Sequence, residues 1–125
     1  MWKELTFLAV AGAIGTLSRY GLSGLVQRLC GERFPWGTFA VNATGCFLFG
    51  FIWTLAEERL VISGQTRFIL LTGFMGAFTT FSTFAFETGG FLQDSQWWQA
   101  AGNAFGQLAV GVFLVFLGYA AGRLL

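Results

Sequence analysis

Gly73-Phe74-Met75-Gly76-Ala77-Phe78-Thr79-Thr80-Phe81-Ser82-Thr83-Phe84 lies inside an apolar stretch long enough to cross a membrane, yet it is poor material for a plain spanning helix. It holds four hydroxyl residues and two glycines. Glycine costs about 1 kcal/mol against alanine in a helix interior, and β-branched threonine adds a little more. Serine and threonine can bond carbonyls that a break releases, so the segment predicts a helix interrupted near Gly76–Thr80. The alternative is a continuous helix whose hydroxyls bond back to the i−4 carbonyl. In a break, freed carbonyls suit a cation and half-helix N-termini suit an anion. Phe78, Phe81 and Phe84 recur every third residue among Thr79, Thr80, Ser82 and Thr83. Ring edges are electropositive and hydroxyls donate hydrogen bonds, so the pattern can replace the water around a small anion without a fixed charge. Phenylalanines as lipid-facing or core filler are the competing reading.

Around this segment the chain reads as membrane throughout. It is 55% hydrophobic and 10% charged over 125 residues, where soluble domains carry roughly 25% charge. The charges fall at segment ends and leave spans of about Leu5–Val26, Trp36–Ala56, Phe68–Leu92 and Trp97–Leu125. Each exceeds the ~20 residues that cross the hydrocarbon core. Trp36, Trp53, Trp97 and Trp98 sit near span ends, where indole rings prefer the interface. The expected fold is therefore an all-α membrane protein in which residues 1–125 form one transmembrane domain of four helices. The first span is too long for a cleavable signal peptide, and three more spans follow it. No histidine is present, and Cys30 and Cys46 form no CxxC pattern, which argues against catalysis, a disulfide or a metal held by side chains.

Orientation is weakly encoded. The side bearing the termini carries Lys3, Arg59, Arg67 and Arg123, and the opposite side carries Arg28 and Arg33. Insertion in both orientations, with an antiparallel dimer, and a fixed orientation with the termini inside both fit so small a bias. Four helices packed on their own axis leave no aqueous passage, so a transport path needs a partner surface, most simply a second copy. Small residues at helix-contact spacing (Gly12, Ala13 and Thr16; Gly102 and Gly106; Gly118 and Gly122) predict close helix approach.

Polar residues inside the other spans extend the candidate site. Asn42 offers two N–H donors to an anion path or serves as an interhelical hydrogen bond. Asn103 and Gln107, one turn apart, pose the same choice and would line a polar track with Asn42. Arg19 marks an anion vestibule or a snorkelling anchor, and Glu87 would pair with it or rim the opposite mouth.

Gly15-Thr-Leu-Ser-Arg19-Tyr20, Trp36-Gly-Thr-Phe-Ala-Val-Asn42-Ala-Thr-Gly45 and Gly73–Phe84, in this order within four spans, resemble the Fluc (CrcB) fluoride channels over essentially the whole chain. The resemblance implies an antiparallel, dual-topology homodimer with two pores in the cytoplasmic membrane, passively exporting fluoride and relieving its toxicity. By position, Phe81 and Phe84 look like the aromatic box that meets fluoride and Asn42 like the pore amide. Ser82 and Thr83 look like pore hydroxyls, Arg19 resembles the vestibule arginine, and Glu87 is carried over to the vestibule as well. Gly76 and Thr79 resemble the site where backbone carbonyls of both subunits hold a structural sodium ion (Na+). Some members place Tyr and Ser where this chain has Asn103 and Gln107. A proton-coupled small multidrug exporter shares the size and span count but needs an embedded carboxylate, and the first span holds none. A non-transporting helical assembly protein would explain the glycines alone.

Overall fold

A computed structural model describes all 125 residues, and every regular element in it is helical. Helix α1 spans Trp2–Cys30 and α2 spans Trp36–Glu57. The third span is composite. It begins as α-helix at Gly64–Phe68, widens to a π-helix over Ile69–Met75, and returns to α geometry at Gly76–Phe78. These residues, 64–78, are α3. After two extended residues the span resumes as α4 (Phe81–Gln93), and α5 covers Trp97–Arg123. Four segments are long and apolar enough to cross a membrane, the third counted from Gly64 to Gln93. The helices outrun the expected spans by a few residues at several ends, because the backbone ladder continues past the apolar run through polar and charged residues such as Lys3, Glu4, Arg28 and Arg67.

Local chemistry sets the boundaries. Gly31 ends α1 at φ 91°, a left-handed backbone that glycine adopts without a Cβ penalty. Ser63 accepts a hydrogen bond from the Thr66 N–H and starts α3, and Thr80 does the same for α4 with the Thr83 N–H. The break falls at Thr79 (φ −87°, ψ 159°) and Thr80 (φ −147°, ψ 114°). Gly76, expected at its edge, is helical at φ −59°, ψ −33°. The expected Phe78–Phe81–Phe84 stripe is therefore divided, since Phe78 belongs to α3 and packs on Phe74 at 5.5 Å in the core.

The small core is formed by Val41, Leu71, Met75 and Phe78, with Leu22, Leu48, Ile52 and Phe74 around it. The most extensive packing joins α2 to α5. There Gly50 lies against the Val115 carbonyl, Gly118 against the Phe47 carbonyl and Phe51 N–H, and Gly122 against Thr54. A Cβ at Gly50 or Gly118 would overlap backbone, so this glycine seam lets the two helices touch main chain to main chain. In α1 the close approach is at Gly15, against the Phe74 carbonyl of the π segment, whereas Gly102 faces open space. Gly102 was expected to mark a contact; the structure places that contact further along α5.

Opposite ends of the molecule differ in charge use. At the end carrying both termini, Arg123 holds Glu58 with two hydrogen bonds of 2.7 and 2.9 Å. Arg67 pairs with Glu57 while lying over the Trp53 ring, 5.3 Å from its centroid. The hydrogen bonds from Arg123 hold the Glu58 carboxyl below its usual range. The other end, formed by the α1–α2 and α4–α5 connections, opens into polar clefts.

Candidate pore site

The break in the third span is built by side chains from its neighbours. The Asn42 amide oxygen accepts the Thr80 N–H at 2.8 Å, and its nitrogen donates to the Thr80 carbonyl at 3.0 Å and to Gln107 Oε1 at 2.9 Å. Both backbone groups of Thr80 are thereby satisfied where no helix ladder can serve them and lipid offers no water. Thr79 turns its hydroxyl back onto the Met75 carbonyl at 3.0 Å. Its methyl meets Gly45, whose missing Cβ makes the room.

From Asn42 a row of amides crosses to α5 and returns to α4. Gln107 donates to Asn103 at 2.8 Å, Asn103 donates to the Thr88 hydroxyl at 2.9 Å, and Thr88 donates to the Phe84 carbonyl at 2.9 Å. Asn42, Gln107 and Asn103 are thus joined in one continuous hydrogen-bonded chain, of which Asn42 and Gln107 line the neighbouring groove and Asn103 does not. Asn103 is fully buried and Gln107 nearly so. Both Asn42 N–H groups are committed within it, so Asn42 acts here as the clamp on the break.

Beside the clamp runs a groove of about 380 Å³ lined by Asn42, Cys46, Thr79, Phe81, Phe84 and Gln107, among others. Phe81 and Phe84 stand 5.9 Å apart with their rings tilted by 52°. Phe81 is 79% exposed in the single chain, as are Phe86 and the nearby Ser82 and Thr83 to a large degree. The groove is open along one side.

A second, more polar space of about 530 Å³ lies between α1, α2 and α4, bounded by Thr16, Arg19, Ser23, Gln27, Thr38 and Thr83. It shares Ser23, Gln27, Thr38 and Thr83 with an outer cleft of about 630 Å³ that also holds Glu32, Arg33, Glu87 and Asp94. The two spaces adjoin between the α1–α2 loop and the break at Thr80. Arg19 and Glu87 were expected to pair or to rim opposite mouths. They do not pair: Arg19 lines the inner space and Glu87 the outer cleft, where Glu87 accepts a 2.5 Å hydrogen bond from the Thr38 hydroxyl. Its other carboxylate oxygen is buried without a partner.

Sequence reasoning missed Gln27, Ser23 and Thr38. The signal was present, since Arg19, Ser23 and Gln27 recur every fourth residue and so share one face of α1. It also missed the π-helix, which leaves no compositional mark.

A family model described as CrcB-like protein, Camphor Resistance (CrcB), matches residues 6–119. The chain belongs to that family. Among curated relatives, a protein of Nitrosococcus oceani named fluoride-specific ion channel FluC is 63% identical over all 125 residues of both chains. Proteins of the same name from Solidesulfovibrio magneticus and Nitratidesulfovibrio vulgaris are each 52% identical, over 100% and 98% of both chains. Membership, together with four apolar spans, makes the chain a multi-pass integral membrane protein of the cell membrane and a member of a channel family, not an enzyme.

No three His, Cys, Asp or Glu side chains cluster to hold a metal. A hard cation such as sodium takes oxygen ligands, which the break supplies in another form. The last carbonyls of α3, from Gly76 on, end a helix, where the intrahelical ladder runs out. Backbone carbonyls of this kind are the ligand type that a sodium ion would take.

Proposed function

We propose that the chain is a fluoride-selective channel that passively exports fluoride and relieves its toxicity. The observation that carries the reading is the clamped break. It sets Phe81 and Phe84 beside Thr79, Thr80 and the amide of Gln107 at mid-span, with no charged side chain lining the groove. Ring edges, hydroxyls and amides can replace an anion's hydration yet release it, as conduction requires. The naming of full-length relatives as fluoride-specific channels supports the choice of ion.

The open side of the groove and the exposure of Phe81 support a second copy as the missing wall. An antiparallel, dual-topology homodimer gives each copy the same role and creates two pores, and the weak charge asymmetry between the two ends accords with it. Sodium held by carbonyls near Gly76 and Thr79 of both copies would sit on the two-fold axis and tie the breaks together. Arg19 would concentrate anions in the space that Thr80 and Thr83 also line.

The test is efflux from vesicles containing the purified protein, followed with a fluoride electrode. Fluoride leaves, chloride is retained, and no pH gradient is required. Equal chloride efflux would overturn the selectivity, and a demand for a proton gradient would replace the channel with a coupled transporter.

A further inference from the structure

Gln27 contributes no free hydrogen-bonding N–H to the two spaces it lines. Its amide nitrogen donates to the Gly31 carbonyl at 2.5 Å and to the Phe34 carbonyl at 2.9 Å. Its oxygen accepts the Gly37 N–H at 3.0 Å. The first two partners are backbone groups of the connection between α1 and α2, on either side of Glu32 and Arg33, and the third belongs to the first turn of α2. Pro35, at the position that usually caps α2, has no side-chain donor or acceptor to offer, and no side chain of the helix itself fills the role. Gln27 supplies the cap from another helix.

The same corner is fixed from its other side. Gly37 packs against the Ser23 carbonyl and hydroxyl so closely that no Cβ would fit. The next residue, Thr38, donates to Glu87 on α4, and Asn42, one turn on, clamps Thr80. The start of α2 is thus registered on α1 by residues 23 and 27 and passes that register to the polar side chains of the two spaces.

We infer that Gln27 is a positioning residue: it latches the α1–α2 loop and caps α2, and so holds the outer end of the anion passage in its open shape. Without the latch, residues 31–36 lose their anchor, and the loop that bears Glu32 and Arg33 moves over the cleft both residues line. The inference rests on the channel reading for its effect on flux, though not for the latch itself.

The experiment uses the full chain with Gln27→Met, which keeps the volume and removes all three bonds, and Gln27→Asn, which keeps the amide but falls one methylene short. Hydrogen exchange and fluoride efflux are measured on each. Exchange rises about tenfold or more at residues 31–38, while the Thr80 amide, held by Asn42, keeps its protection. Fluoride efflux falls about fivefold with the oligomer intact. A uniform rise in exchange across all helices would reduce Gln27 to a stability residue and overturn the proposal, as would unchanged exchange at 31–38. Unchanged efflux with a freed loop would overturn its role in the passage. If Gln27→Met does not fold, Gln27→Asn decides the same outcomes. Failure of the parent protein to carry fluoride would sink the channel reading, and the exchange pattern would still decide the latch.

Discussion

The α2–α5 seam and the broken third span solve the same problem by opposite means. Both bring backbone from different helices into close approach inside a membrane. At the seam, Gly50 and Gly118 remove side chains so that two intact helices can touch, and every backbone group stays in its own ladder. At Thr79–Thr80 the ladder itself is interrupted, and Asn42 replaces it with hydrogen bonds to both backbone groups of Thr80. The seam is made by absence and tolerates nothing added. The break is made by presence and tolerates nothing removed. Only the second leaves polar groups near an open groove, which is why function gathers there.

Four substitutions break or sharpen this contrast. The largest effect is expected from Gly118→Val, whose new side chain would overlap the Phe47 carbonyl and the Phe51 N–H. Overpacking of ordinary cores costs about 1–3 kcal/mol, and backbone on backbone leaves less room to relax. Loss of monodisperse protein on size-exclusion chromatography is the expected result; a normal elution profile would show the seam to be looser than described.

Asn42→Leu comes next. It leaves the Thr80 N–H and carbonyl without partners, at about 1–3 kcal/mol for each orphaned group, and frees the Gln107 oxygen. A lowered melting temperature in detergent together with lost fluoride efflux is expected. Lost efflux at an unchanged melting temperature would return Asn42 to the role of an anion donor.

Phe81→Ile separates site from scaffold. The ring is largely exposed in the single chain and belongs to no core cluster, so the fold should keep its melting temperature. Fluoride efflux should fall more than tenfold, because isoleucine has no electropositive edge. Unaltered efflux would remove the aromatic groove from the pathway.

The smallest effect is expected from Arg123→Gln at the exposed pair with Glu58. Exposed pairs contribute little. Since Arg123 lowers the Glu58 pKa, the pair's contribution is present above the unfolded carboxyl pKa and is lost as pH falls through the lower folded value. Parent and variant melting curves should therefore converge under acid conditions. A gap that widened in acid would contradict that sign.

Much of this was legible in the residues. Apolar run lengths and charge placement gave four spans, and Gly73–Phe84 gave the break and the ring-and-hydroxyl chemistry, because both follow from local composition. Phe78 was misread because a period of three assumes one unbroken helix, and the break lies between Phe78 and Phe81. Glu87 was offered on charge as a partner of Arg19 or as the rim of the opposite mouth, whereas its hydrogen-bond partner is the neutral Thr38, forty-nine positions away.

By itself, then, the sequence determined the solvent, the number of crossings and the weak point of the third span. These depend on transfer free energy and helix propensity, which are sums over neighbouring residues. Only the tertiary structure decided which polar groups are spent and which are spare. Asn42 has two N–H groups in either case, but whether they serve the backbone of Thr80 or an ion depends on residues thirty-eight and sixty-five positions distant. Hydrogen bonds of that reach are short-ranged in space and have no signature along the chain. The break in the third span is therefore a property of α3 and α4, and its stability is a property of α2 and α5.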